Sequence, residues 1–158
     1  MGSGFFIVLV DRLNVMAADS MEPITGTYEG KQDHIRKHSF PEIEVFANIY
    51  SDQSYRIDMD IPEFTAICPK TGLPDFGTIY LSYRPDQFCL ELKSLKEYIT
   101  AYRSLGIFHE NVVNRILEDL VAACKPHWMR VHGDYNVRGG IKTRVTASFK
   151  RQGSTTTG

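Results

Sequence analysis

SLKEYITAYRSLGIFHENVVNRILEDLVAA, residues 94–123, carries two helical patterns in succession with no strand pattern between them. Ser94 and Glu97 have capping-box spacing, and Leu95, Tyr98, Ile99 and Tyr102 follow at i, i+3, i+4 and i+7. This predicts an amphipathic helix starting at Ser94 and stopped by Gly106. A second helix is expected from about Glu110 to Ala123, burying Val112, Val113, Ile116, Leu117 and Leu120 and ending before Lys125-Pro126.

Strand patterns flank this pair. Upstream, Pro41 introduces Ile43, Val45, Ala47 and Ile49 at period two, the mark of a half-buried strand. Phe64 to Cys68 reads as a short extended run closed by the loop Pro69-Lys70-Thr71-Gly72-Leu73-Pro74. Gly77, Ile79, Leu81 and Tyr83 then alternate with polar residues, and Pro85-Asp86 is expected to turn that strand into a hairpin with Phe88 to Glu91. Downstream, Met129, Val131, Tyr135 and Val137 form one alternating run and Val145, Ala147 and Phe149 another, with Arg138-Gly139-Gly140 as the turn between them. Strands, two consecutive helices and strands again imply an antiparallel α+β fold rather than alternating β-α units. One domain is expected over residues 26–151, preceded by an extension at 1–25 and followed by a flexible tail at 152–158.

Bulk properties narrow the function. With 158 residues and 42% hydrophobic content the chain suffices for one cored domain. Its 18 basic and 19 acidic residues are scattered, giving net charge -1, so no basic stripe points to nucleic acid or a membrane surface, and a small-molecule partner is expected. The apolar run Phe5 to Val10 is far short of the roughly 20 residues of a spanning helix. The cysteines Cys68, Cys89 and Cys124 are odd in number and lack any Cys-x-x-Cys pair, which fits a reduced, cytoplasmic compartment. His34 and His38 have i, i+4 spacing but no third ligand nearby, so no metal site is expected.

Several residues are open to a chemical and a structural reading. Cys68, at a strand end beside a Pro-Gly loop, is either a small buried hydrophobe or a positioned thiol. Asp75, seven residues on, is either a turn residue or a general acid folded back toward that thiol. His109-Glu110 opens the second helix, where Glu meets the helix dipole, or recognises a polar heterocycle. Lys93 and Lys96 flank the first helix start, as solvated lysines or as an anion site supported by free backbone N–H groups. Arg138 beside Gly139 is a turn shoulder or an anion contact. No Gly-x-Gly-x-x-Gly follows a strand, so spacing alone does not suggest a dinucleotide.

Taken together, four segments resemble one family. They are EFTAICPKTGLPDF (63–76), ELKSLKEY (91–98), Phe108-His109-Glu110 and Arg138-Gly139-Gly140. Their order and content are similar to the single-module NADPH-dependent 7-cyano-7-deazaguanine reductases, the nitrile reductases of queuosine biosynthesis, over roughly residues 26–150. ELKSLKEY is the most specific part.

The resemblance implies a tunnelling fold, an antiparallel sheet with two consecutive helices on one face, assembling side by side into a barrel-like homo-oligomer of two facing pentamers. It implies that Cys68 attacks the nitrile to give a thioimide, that Asp75 protonates the nitrogen, and that two NADPH supply hydride. Leu90, Glu91, Leu92, His109 and Glu110 would bind 7-cyano-7-deazaguanine, and Lys93, Lys96, Arg138 and Gly139 would hold the NADPH phosphates across a subunit interface. Leu92 stands where many members have Ser. A same-fold rival forms an amidine from the same nitrile without a redox cofactor, and the lysine-bearing helix start speaks against it.

Overall fold

The computed structural model describes residues 31–152. The expectations for residues 1–25 and for the tail beyond Gln152 lie outside that range. The elements run β1 (Val45–Ala47), β2 (Ile57–Ile67), β3 (Pro74–Arg84), β4 (Phe88–Leu90), α1 (Leu92–Ala101), α2 (His109–Cys124), β5 (Trp128–Tyr135) and β6 (Arg144–Lys150). Short 3-10 turns stand at Ile35–Lys37 and Tyr102–Ser104. Strands β2-β3-β5-β6 form one wholly antiparallel sheet, as the α+β expectation required. Among the described residues no helix is long and apolar enough to cross a membrane.

Alternation along the strands decides which side of the sheet the helices cover. Asp75, Gly77, Ile79, Leu81 and Tyr83 of β3 are buried, as are Met129, Val131, Gly133 and Tyr135 of β5. Against them pack Tyr98 of α1 and Val112, Val113, Ile116 and Leu120 of α2. Strand β2 reaches the same side only by changing phase. Ile61 pairs with Ile79 and Phe64 with Gly77, so Pro62 and Glu63 bulge opposite Thr78. A bulge suits Pro62, which has no N–H to give the ladder. Ile57, Met59 and Ile61 face the core before the bulge and Phe64 and Ala66 after it. Cys68 is next in that second phase.

The sequence-based expectations require several corrections. Strands β3 and β4 do not form a hairpin. Both edges of β3 are occupied, by β2 and β5, so β4 peels away and pairs with β1 in a separate two-stranded ribbon. The expected half-buried strand at Ile43 to Ile49 shrinks to Val45–Ala47, and Ile49 is 81% exposed, because the ribbon gives β1 only three partners. Helix α1 starts two residues before Ser94 because Glu91 caps it, accepting the Lys93 and Ser94 N–H groups on its carboxylate. It ends at Ala101, ahead of Gly106. Alternation in β5 stops at Tyr135, leaving Val137 exposed.

The polar segment ahead of β1 is strapped onto α2. Arg115 donates to the Ile35 and His38 carbonyls at 2.6 and 3.2 Å and bonds Asp119 at 2.7 Å. The strap carries Lys31 to the Pro69 carbonyl at 3.3 Å and His34 to that of Gly106 at 3.0 Å, behind the loop that follows Cys68.

Two glycines let the Tyr135 ring lie flat against the sheet. A Cβ on Gly77 would stand 2.7 Å from the Asp134 carbonyl oxygen, and one on Gly133 would stand 2.9 Å from the Tyr135 ring. Gly77→Ala is expected to destabilise the fold by about 1–3 kcal/mol, the usual range for forced overpacking. An unchanged urea midpoint would contradict this packing.

Candidate active site

The end of the β2-β3 pair is held from both sides. Ile67 N–H donates to Leu105 O and Ile107 N–H donates back to Ile67 O, each at 3.0 Å, so the last residue of β2 is fixed by the segment that leads into α2. Cys68 follows at once. Its N–H donates to Leu73 O and its carbonyl accepts from Gly72 N–H, each at 2.9 Å, closing a tight loop. Gly72 sits at φ +70, where a side chain would be strained, and Pro69 fixes the loop's entry.

This loop wraps the Cys68 sulfur in donors. Burial acts to raise the thiol pKa, but hydrogen bonds from the Thr71 hydroxyl, from Arg138 and from the Thr71 and Lys70 N–H groups outweigh it and bring it down to about 6. The Thr71 hydroxyl also accepts from Leu73 N–H at 3.3 Å, which orients it. The two readings of Cys68, buried hydrophobe and positioned thiol, meet in one residue. Cys68 is 8% exposed, and its low pKa comes from aimed donors rather than from water.

Asp75 lies in β3, not in the loop, opposite Ala66. It is 2% exposed, yet it holds a position in the phase otherwise filled by Ile79, Leu81 and Tyr83. Its two oxygens have separate partners. Oδ2 meets His109 Nε2 at 3.1 Å, and the Arg138 guanidinium sits against Oδ1. His109, the first residue of α2, stacks on Tyr135 with ring centroids 3.7 Å apart and planes 3° from parallel. The Tyr135 hydroxyl donates to the His109 carbonyl at 3.2 Å. Burial lowers the His109 pKa and the charge of Glu110 opposes that shift, so the imidazole is held neutral near pH 7. Glu110 itself is exposed beside this stack.

Cys68, Asp75, His109, Glu110 and Arg138 are therefore gathered in one corner. Leu90 to Lys96 belong elsewhere in the chain's own fold. Leu90 is buried and gives its N–H to the Tyr83 hydroxyl, Leu92 is 63% exposed, and the Glu91 carboxylate is committed to the α1 cap. Hydrogen bonds from the Ser94 and Lys93 N–H groups hold the Glu91 pKa below the usual carboxylate value. The backbone donors expected to serve an anion at that helix start are thus taken. The exposed side chains of Lys93 and Lys96 line one shallow surface pocket with Glu97, whose carboxylate lies 3.8 Å from Lys93 Nζ. Among the described residues no hydrogen bond or ion pair joins Lys93 or Lys96 to Arg138 or Gly139.

The sequence reading missed Thr71 and Tyr135. Nothing in the alternation marks Tyr135 as more than core, since its role depends on Gly77 lying opposite it. Thr71 stands in a stretch that reads only as loop. Cys124, by contrast, is packed in the core: its S–H donates to Leu120 O at 3.2 Å and burial pushes its pKa up to about 12.

Comparison with known proteins agrees with this architecture. The family model described as "QueF-like protein" matches residues 74–154. The chain belongs to the QueF-like family. Its relatives include proteins named NADPH-dependent 7-cyano-7-deazaguanine reductase from Chlorobaculum tepidum, 57% identical over 69% of this chain and 93% of the relative, and from Nitrosococcus oceani, 56% identical over 71% and 87%. A third, from Elusimicrobium minutum, is 49% identical over 77% and 93%. Among solved structures, "Crystal structure of the archaeosine synthase QueF-Like in the apo form" superposes with TM-score 0.53 over 60% of this chain and 91% of that one. At 23% identity that likeness concerns the fold alone.

The QueF-like corner makes a direct prediction about thiol reactivity. With a pKa of about 6 Cys68 is mostly thiolate at pH 7, roughly ten thiolates per thiol. Brief iodoacetamide treatment at pH 7 followed by peptide mass spectrometry is expected to label Cys68 first and to leave Cys124 unmodified. Equal labelling of the two would contradict the donor cage.

Proposed function

We propose that the chain is an NADPH-dependent oxidoreductase that converts 7-cyano-7-deazaguanine to 7-aminomethyl-7-deazaguanine for tRNA queuosine biosynthesis in the cytoplasm, with Cys68 as nucleophile and Asp75 as acid. The observation that carries this reading is a low-pKa thiol and a buried carboxylate held by one arginine at the end of the same strand pair. The names of the relatives supply the electrophile and the reductant.

The thiolate sulfur forms a bond to the nitrile carbon, one π pair moves to nitrogen, and that nitrogen takes a proton which Asp75 draws from solvent on substrate binding and passes on, giving a thioimide and returning Asp75 to the carboxylate. His109, bonded to Asp75 and clamped on Tyr135, fixes the orientation of the carboxyl. NADPH, when bound, supplies the two hydride equivalents that take a nitrile to an amine. The low thiol pKa also suits Cys68 as a leaving group once the carbon has been reduced. Burial of Cys68 and Asp75 keeps out water that would hydrolyse an imine. The exposed carboxylate of Glu110 beside the corner is an acceptor of the kind a deazaguanine edge needs, Glu91 could add one only through the lone pairs its α1 cap leaves over, and Lys93 and Lys96 are assigned to the cofactor phosphates.

That assignment requires a second subunit. Among the described residues one edge of β6 has no strand partner, one edge of β2 is joined only by the bridge at Ile67, and no hydrogen bond or ion pair links Lys93 or Lys96 to the Cys68 corner of the same chain. Side-by-side subunits would bring one chain's α1 start to another's corner, within a barrel of two facing pentamers. A groove of about 420 Å³ between β2 and α1, lined by Asp60, Glu63, Leu92, Lys96 and Arg103 among others, is the surface this reading gives to a neighbour. The 23% identical structural neighbour speaks to the fold alone and lends the amidine-forming alternative no support.

Mixing the protein with 7-cyano-7-deazaguanine and NADPH is expected to consume two NADPH per amine formed. Folded, oligomeric protein that oxidises no NADPH would overturn the reading. Cys68→Ala is expected to abolish turnover, while Asp75→Asn retains substrate binding and loses about 10²–10⁴-fold in kcat, the usual contribution of general-acid catalysis. Wild-type rates in either variant would refute its role. Replacing Lys93 and Lys96 by Ala together should raise the NADPH KM by roughly tenfold or more with little change in kcat, consistent with lost charged hydrogen bonds. An unaltered KM would move the phosphate site elsewhere.

A further inference from the structure

We propose that Arg138 is a positioning residue that holds the Cys68 sulfur and the Asp75 carboxylate together in the substrate-free site, a role separate from any contact with cofactor phosphate. The inference rests on the reading of Cys68 as nucleophile and Asp75 as acid, and it concerns what makes that pair compatible.

Arg138 is fixed by its turn. Gly139 and Gly140 have φ of +57 and +80, the pair of positive values that a two-residue hairpin with primed-turn geometry needs. Arg138 N–H donates to Ile141 O at 3.0 Å and Ile141 N–H returns to Arg138 O at 2.9 Å. The turn sits beyond the end of β5, where Asn136 N–H donates to Phe76 O at 2.8 Å, next to Asp75. The arginine is therefore delivered to the corner by a short, doubly bonded hairpin rather than by a free loop.

Its guanidinium then does two things at once. It pairs with Asp75 Oδ1, which makes no hydrogen bond to any other described residue, and it donates to the Cys68 sulfur. A buried carboxylate and a thiolate that share one neighbour repel each other, and a cation between them relieves that repulsion. The planar fork has donors enough for both.

The other groups around the pair do not duplicate this. His109 faces Asp75 Oδ2 as a neutral ring, Lys70 and Thr71 reach the sulfur through N–H and hydroxyl groups, and Lys31 is directed to the Pro69 carbonyl. Glu110 adds negative charge beside His109. The Arg138 side chain is about half exposed while Asp75 is closed off. Arg138 thus covers the corner from the solvent side.

The test is the pH profile of Cys68 alkylation by iodoacetamide, followed on the Cys68 peptide in the full-length, assembled protein without substrate or NADPH. Wild type is expected to show a midpoint near 6. Arg138→Gln is expected to move it upward by about one unit, which cuts the rate at pH 6 several-fold. Arg138→Lys, which keeps the charge but loses the fork, is expected to fall between the two. If the Gln variant fails to fold, the Lys variant still reports, since losing one of the two contacts also shifts the midpoint. Arg138 variants that keep the wild-type midpoint would overturn the proposal while leaving Cys68 as a reactive thiol. A wild-type midpoint in the ordinary cysteine range would instead overturn the reading of Cys68 and the proposal with it.

Discussion

Asp75 occupies a position that the alternation of β3 gives otherwise to Gly77, Ile79, Leu81 and Tyr83, and the corner of the fold is built around satisfying that buried carboxylate. A charge taken out of water is tolerated only where partners are supplied. One comes from the first residue of α2 and one from the turn after β5. Both partners depend on long-range packing. His109 is fixed by its stack on Tyr135, and that ring in turn needs the bare backbone of Gly77 and Gly133. The bulge at Pro62-Glu63 then sets the phase of β2 so that Cys68 arrives on the same side of the sheet. Fold and chemistry therefore share one constraint, since each device that satisfies Asp75 also shapes the space beside the thiol.

Much of this was legible in the residues. The two consecutive helices, the β5-β6 turn at Arg138-Gly139-Gly140 and the strand end at Cys68 all appear where local periodicity and turn chemistry put them. Even Asp75 carried a readable signal, since extending the alternation of Gly77, Ile79, Leu81 and Tyr83 back by two residues lands on it. A carboxylate in the core phase of a strand is rarely only a turn residue. What local patterns could not give was pairing. That β4 joins β1 rather than β3 follows from β5 returning from far along the chain to take the free edge of β3. The cap of α1 was misplaced because Ser94 and Glu91 both suit a helix start. The choice went to Glu91, whose two oxygens satisfy two N–H groups, while Ser94 Oγ accepts from Glu44 N–H on another segment.

The arrangement also separates what one chain holds from what several chains would complete. A thiol, a carboxylate and a histidine are assembled within a single chain, with their orienting partners already in place. The ELKSLKEY segment, by which the family resemblance was most specific, lies apart from them. The reacting groups are pre-organised by the chain's own fold, and under the proposed side-by-side assembly the recognition of a cofactor phosphate would be left to a neighbour.

The central claim is that the caged thiolate of Cys68 is a nucleophile toward a nitrile. Intact-mass measurement after incubation with 7-cyano-7-deazaguanine in the absence of NADPH tests it most directly. The account predicts a species heavier by the full mass of the substrate, mapped to the Cys68 peptide and absent from Cys68→Ala. Folded, substrate-binding protein that never acquires that mass would contradict it.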